Sequence, residues 1–233
     1  MDRLDKIIAS QGTASRNDVR KLIYKGKVSV NGEIIKKIDF KVNPDADEIA
    51  VEGTPLNHKK FIYIMMNKPA GVICATFDKK EKTVLDLLPS NLMRKDIFPA
   101  GRLDKDTVGL VIITNDGISS HKRLSPKHHA EKVYYFETAE PVSETVKKEI
   151  ESGVLLKDGY LTKPCKVELI TETSGNITLT EGKYHEIKRI FGAKSNKITY
   201  LKRISFAGIT LDETLKEGEA RPLTPEEENL FTL

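Results

Sequence analysis

The sequence predicts an α+β protein in which a small N-terminal module joins a larger domain built on a mixed, mostly antiparallel sheet. Three observations carry this. The first 35 residues read as two short helices and a hairpin, residues beyond 60 read as apolar strands and amphipathic helices, and those later elements do not alternate as regular βαβ units. At 233 residues the chain can hold two domains that each bury a core, with an expected division into 1–58 and 59–233.

Taking the elements in order, Leu4, Ile7 and Ile8 recur at helical spacing between Arg3 and Ala9, and Ser10-Gln11-Gly12 stops the pattern. Ser15 is the N-cap of a second helix whose apolar face is Val19, Leu22 and Ile23, with Arg16, Arg20, Lys21 and Lys25 clustered on the other side. That helix ends at Gly26. Val28 to Ile35 alternates around Asn31-Gly32, the strongest short-range hairpin signal. The polar stretch Asn43–Lys60 carries a last short strand and a linker. Phe61–Met66 reads as a buried strand, and Asn67–Val72 as a turn leading into another apolar run. Further strands are expected over Val111–Thr114, Val133–Thr138, Cys165–Ile170 and Asn176–Leu179. Helices are expected over Val84–Leu88, Gly117–Leu124, Val142–Ser152 and His185–Ala193.

Composition narrows the function classes. With 39% hydrophobic and 31% charged residues the chain is of ordinary globular type, and no apolar run approaches the roughly 20 residues that span a bilayer. The N-terminus lacks the layout of a signal peptide, so a cytoplasmic protein without membrane contact is expected. Cys74 and Cys165 lie far apart without metal-ligand spacing and are expected to be buried free thiols. The net charge of +4 is unevenly spread: residues 1–43 hold ten Lys or Arg against five acids, and residues 212–228 hold seven acids against two bases. The basic end suits a polyanion, and the acidic end reads as solvated.

The segment from Gly101 to Leu110 places Asp104 in a glycine-bounded basic loop directly before an apolar strand. A loop held at a sheet edge fixes a side chain yet leaves it open to substrate, and Arg102 and Lys105 would draw an anion toward it. Read alone, the loop is more readily an Arg-Asp-rich turn closed by local hydrogen bonds.

Four segments together resemble the pseudouridine synthases. They are Asn67-Lys68-Pro69-Ala70-Gly71, the Gly101–Leu110 loop, Glu131-Lys132-Val133-Tyr134, and the run from Gly182 to Arg189. Their order and separations are similar to the small-subunit ribosomal RNA branch of that family, as is Arg221-Pro222-Leu223-Thr224 near the end. Residues 1–55, and Lys25–Gly32 above all, resemble the S-four-like RNA-binding module.

The resemblance implies an enzyme that isomerises a uridine of 16S ribosomal RNA to pseudouridine. Asp104 would be the acting carboxylate, Tyr134 would stack on or position the extruded base, and Lys188 would be the cation beside Asp104, with Arg189 next to it as the alternative partner. The carboxylate would attack the ribose, assist glycal formation, or add to C6 of the base, and each route needs it ionised. Arg102 would hold phosphate or help displace the base. Arg16, Arg20, Lys21, Lys25 and Lys27 would meet the RNA backbone. Lys68 is expected to be structural or a phosphate contact, His128-His129 a surface or RNA-contacting pair, and His185 a support for local structure. Val108 stands where relatives often carry a polar residue, and Glu186 where Gln is usual.

No metal or organic cofactor is implied. The partner would be ribosomal RNA or a ribosomal-subunit assembly intermediate, met by a monomer. A large-subunit 23S rRNA enzyme of the same branch, a noncatalytic rRNA-binding protein and a nucleoside glycosidase are the rival readings.

Overall fold

In the computed structural model, which describes residues 1–12, 14–125 and 130–233, the chain forms two compact units. Residues 1–62 and 89–97 make the first, and residues 63–88 and 98–233 the second. The chain thus leaves the second unit once, between Leu88 and Phe98, to complete the first.

The first unit runs β1 (Asp2–Arg3), α1 (Leu4–Ser10), α2 (Arg16–Tyr24), β2 (Val28–Val30), β3 (Glu33–Ile34), β4 (Lys41–Val42), β5 (Ile49–Val51) and β6 (Thr54–Pro55). β1 pairs with β4, and the other four strands form an antiparallel sheet in the order β3-β2-β5-β6. Ser15 caps α2 by accepting from the Asp18 N–H, as the sequence predicts. Asn31 and Gly32 both have positive φ, at 51° and 82°, the backbone a two-residue hairpin turn requires. Leu4, Ile7 and Ile8 of α1 meet Val19 and Ile23 of α2 over Val28, Val30, Val42 and Ile49, and this is the unit's core. Arg94, from the segment that returns to this unit, donates to the Lys59 carbonyl at 2.8 Å and to Gln11 at 3.0 Å.

The second unit contains β7 (Tyr63–Lys68), β8 (Phe98–Pro99), β9 (Val108–Thr114), α3 (Gly117–Leu124), β10 (Lys132–Thr138), α4 (Glu144–Ser152), β11 (Lys166–Thr171), β12 (Ser174–Leu179), α5 (Glu186–Ala193), β13 (Ile198–Phe206), β14 (Ile209–Thr210), β15 (Ala220–Pro222) and α6 (Pro225–Thr232). Its sheet has the order β11-β12-β10-β13-β9-β7-β15, with β14 beside β13 and β8 beside β9. Every pairing is antiparallel except β13 with β9, so the sheet is mixed and mostly antiparallel. β7 and β9 are buried along their whole lengths, whereas β10 alternates, because its neighbours cover one face more fully than the other.

Several expectations need correction. Asn67 and Lys68 are the last residues of β7, so the turn starts at Pro69. Val84–Leu88 contains only a single 3-10 turn, Leu85–Leu87. The central strand β13 escapes the sequence reading because Lys202 and Arg203 interrupt its apolar pattern. Arg203 is nevertheless buried, its Nε donating to the Leu110 carbonyl at 2.8 Å. The acidic end is solvated as expected, but its last acids, Glu226–Glu228, belong to an ordered helix, α6, begun by a capping box between Thr224 and Glu227. Cys74 is buried, but Cys165 is only half-buried. No helix among the described residues is long and apolar enough to cross a membrane.

Candidate active site and nucleic-acid interface

A cleft in the second unit is lined by Arg102, Asp104, Tyr134, Glu181, His185 and Glu186, among others. Local chemistry positions each wall. Asp104 sits between the Pro99 end of β8 and the start of β9, in a loop braced from inside by Lys68. The Lys68 ammonium is fully buried and donates to the carbonyls of Thr107 at 2.7 Å, Pro69 at 3.0 Å and Lys105 at 3.2 Å. Burial pushes its pKa below the ordinary value, against the pull of Cys74, Asp106 and Asp104. A cation spending three N–H groups on backbone holds a loop; it does not meet phosphate. The Gly71 N–H donates to the Lys105 carbonyl and the Leu103 N–H to Cys74 Sγ, so the first and second sequence segments are stitched together.

At the far end of this loop Gly109 has φ +100°, and a Cβ there would lie 2.3 Å from the Arg203 carbonyl oxygen. This is where β9 and β13 run parallel, with Gly109 opposite Arg203. Only glycine admits that approach. Val108, the preceding residue, is buried in β9, which accounts for an apolar side chain at that position.

Opposite the loop, α5 begins after His185, whose φ of 49° is left-handed. That turn directs His185 and the first turns of α5 at the Asp104 loop. Lys188 Nζ lies 3.1 Å from Asp104 and 2.5 Å from Asp106, and His185 Nε2 lies 3.5 Å from Asp104. Burial lowers the Lys188 pKa, but hydrogen bonds to Asp106 and Asp104 outweigh it and leave the ammonium above its ordinary value. The same contact holds the Asp106 carboxyl low. Asp104 is three-quarters buried and Asp106 three-quarters exposed. Arg189, one residue on, instead pairs with Asp158. Of the two basic neighbours, Lys188 meets Asp104.

Tyr134, on β10, is buried and lines the same cleft, while Arg102 is exposed at its rim. The residue whose place the sequence understated is His185. It stacks on Tyr184 with ring centroids 3.8 Å apart while its other edge faces Asp104. A histidine directly before a helix and adjacent to a basic run was the available signal. His128 and His129 lie outside the described residues.

In the first unit, the predicted basic face has an organiser that charge counting does not reveal. Asp5, fully buried, accepts from Arg3 and Arg16 through both of its oxygens and from Arg20 through one, at 3.0–3.2 Å. Burial would raise its pKa, but hydrogen bonds from Arg16, Arg3 and Arg20 dominate and hold the carboxyl far below the usual range. Arg16 and Arg20 are therefore anchored cations, about two-fifths exposed. Lys21 pairs with Asp18 at 2.9 Å. Lys25 and Lys27 are exposed and form no ion pair among the described residues.

Comparison with known proteins agrees with this arrangement. Residues 62–193 match the RNA pseudouridylate synthase family and residues 2–48 match the S4 domain. An uncharacterised RNA pseudouridine synthase of Bacillus subtilis, YtzG, is 45% identical, covering 98% of this chain and 98% of the relative. Ribosomal small subunit pseudouridine synthase A of Escherichia coli is 43% identical over 97% of each. A crystal structure of a pseudouridylate synthase superposes with a TM-score of 0.69 at 38% identity, covering 99% of this chain and 100% of that one. With three of its four segments lining one cleft, the fourth bracing the Asp104 loop through Lys68, and an S4 domain ahead of them, the chain belongs to the RNA pseudouridine synthase family.

Proposed function

We propose that this protein converts one uridine of 16S ribosomal RNA to pseudouridine, with Asp104 as the acting carboxylate. The observation that carries this reading is the Asp104–Lys188 pair at 3.1 Å, in the same cleft as Tyr134. The reaction breaks the bond from N1 to the ribose, turns the base, joins C5 to the same ribose carbon, and moves a proton from C5 to solvent while N1 gains one. Atoms and electrons balance within the nucleoside, so the chemistry asks only for a carboxylate, a fixed cation and a surface that holds the loosened base.

Each is supported by a residue with a physical fit. Asp104 is anchored by its backbone yet open to the cleft, and Lys188 and His185 face its two oxygens. Tyr134 offers a ring against which the extruded base stacks, a contact worth about 1–3 kcal/mol. Arg102 at the rim meets the phosphate that moves when the base leaves its helix. The Arg16–Arg20 cluster with Lys21, Lys25 and Lys27 binds the RNA backbone without reading sequence. The substrate is a ribosomal subunit assembly intermediate in the cytoplasm. Support for the 16S target is the 43% identity to a small-subunit enzyme over 97% of the chain.

The test is to incubate small- and large-subunit rRNA, naked and in partly assembled subunits, with wild type and Asp104→Asn, and to map pseudouridine chemically. Wild type marks a single position in 16S rRNA, and the variant loses at least about a thousandfold in rate, the scale of removing a nucleophile. Equal product from both proteins, or none from wild type on any substrate, overturns the proposal; product confined to 23S rRNA moves the target to the large subunit.

A further inference from the structure

Two carboxylates in the wall of the cleft form no ion pair among the described residues. Glu181 and Glu186 are 6% and 5% exposed and flank the segment 182–185 that leads into α5. Glu181 accepts from the Tyr160 hydroxyl at 2.5 Å and from the Lys163 N–H at 2.8 Å. Glu186 Oε2 accepts from the Lys183 N–H at 2.8 Å, but its Oε1 is buried and meets no donor among the described residues. Both carboxyl groups line the same cleft wall, and each acts on the other's titration.

The charged groups that face the pair are otherwise engaged. On β10, Lys132 donates to the Ala130 carbonyl and lies over the Phe206 ring; burial and Arg203 of β13 push its pKa down, against the pull of Glu186 and Glu181. Lys183 sits over the Tyr160 ring. His185 faces Asp104, and the half-buried Cys165 thiol is held up by burial and by the nearby glutamates. Two adjacent ionised carboxylates, both buried, would repel each other and lose hydration, since neither forms an ion pair among the described residues. One proton between them removes that cost and gives Glu186 Oε1 its missing partner.

We propose that Glu186 carries this proton and donates it to Glu181, and that the acid–carboxylate hydrogen bond is the clasp that fixes segment 182–185 so that His185 and Lys188 meet Asp104. Glu186 is thus a positioning residue, acting through the segment and touching no reacting atom. The proposal rests on the Asp104 chemistry above only for its effect on rate; the clasp itself is a property of the folded protein.

The electrostatics agree in direction. Burial and the bond to Glu181 push Glu186 up to about 8, whereas Glu181, which burial would raise, is held low by its hydrogen bonds to Glu186, Tyr160 and the Lys163 N–H. Glu186 binds its proton more tightly folded than unfolded. Its stabilising contribution is full below the ordinary value of 4.5 and is lost as pH rises through about 8. Above that, the second charge opens the clasp.

Glu186→Gln supplies a permanent N–H donor to Glu181 and a carbonyl to Lys183, without a titrating proton. Its rate at pH 7 stays within about threefold of wild type, and the ratio of variant to wild-type rate rises about tenfold between pH 7 and pH 9, one unit past the wild-type transition. Glu186→Ala, which has no donor, is slower than Glu186→Gln at every pH and slower than wild type at pH 7. The thermal midpoint supplies a readout independent of catalysis: wild type falls relative to Glu186→Gln between pH 7 and pH 9. Parallel pH profiles and parallel melting for the two proteins overturn the clasp, as does a folded but inactive Glu186→Gln, which would make the negative charge essential. If wild type modifies no RNA, the melting comparison alone decides, so failure of the clasp and failure of the functional reading are told apart.

Discussion

At the scale of single residues, three cations near one carboxylate have three different tasks, set by where their N–H groups point. Lys68 spends its ammonium on carbonyls and shapes the loop, Lys188 faces Asp104, and Arg189 turns away to Asp158. Residue type alone does not separate them. On the proposed chemistry, Lys188 is the one whose loss removes charge beside Asp104, and a preorganised donor of this kind is worth about a hundredfold or more in rate. Lys188→Met therefore lowers kcat about a hundredfold with little change in KM, measured by single-turnover and steady-state kinetics on the same RNA. Lys188→Arg recovers part of the loss, because the charge returns with a different shape.

At the scale of elements, α1 and α2 are joined as much by Asp5 as by their apolar faces. One buried carboxylate accepts from side chains of Arg3, Arg16 and Arg20, so these guanidinium groups hold a fixed array while keeping part of their surface in water. Asp5→Asn removes the charge at the centre. Its cost to stability is about 2 kcal/mol, less than the roughly 3–5 kcal/mol of breaking a pair buried on both sides, because the arginines retain solvent. Chemical denaturation at pH 7 measures it. The depressed carboxyl contributes stability above its ordinary value of 3.8 and loses it only as pH falls through the much lower folded value, so the difference between wild type and variant shrinks below pH 3.8.

At the scale of the whole molecule, the charge map assigns separate duties to the two units. The first carries the anchored arginines together with Lys25 and Lys27, and the second carries the cleft. Affinity for RNA backbone depends on counterion release, so binding of the intact protein weakens steeply with salt. Replacing Lys25 and Lys27 by Glu lowers affinity for all RNA sequences alike and flattens the plot of log affinity against log salt by about 1.4–1.8, about 0.7–0.9 for each lost phosphate contact. The rate constant for already bound RNA stays near wild type. An unchanged slope, read by filter binding across a salt series, would remove these two lysines from the interface.

Local patterns in the sequence determined much of this protein. Helical spacing in α1 and α2, Ser15 as a cap, the Asn31-Gly32 turn and the apolar runs of β7 and β9 are short-range properties, and each forms, though β7 and β9 extend two to three residues beyond the apolar runs. The capping box of α6 was equally readable in Thr224 to Glu227, but the charge count there suggested only a solvated end. Asp104 was conspicuous because its glycine-bounded basic loop stands directly before a recognisable apolar strand. Tertiary structure decided what depends on partners distant in the chain. β13 lies at the centre of the sheet through its pairing with β10 and β9, and there Arg203 finds the Leu110 carbonyl 93 residues away. Lys188 rather than its neighbour met Asp104 because the left-handed turn at His185 sets the phase of α5. Spacing along a chain fixes which face a side chain occupies; which charge or hydrogen-bond partner waits on that face is fixed only when the elements pack.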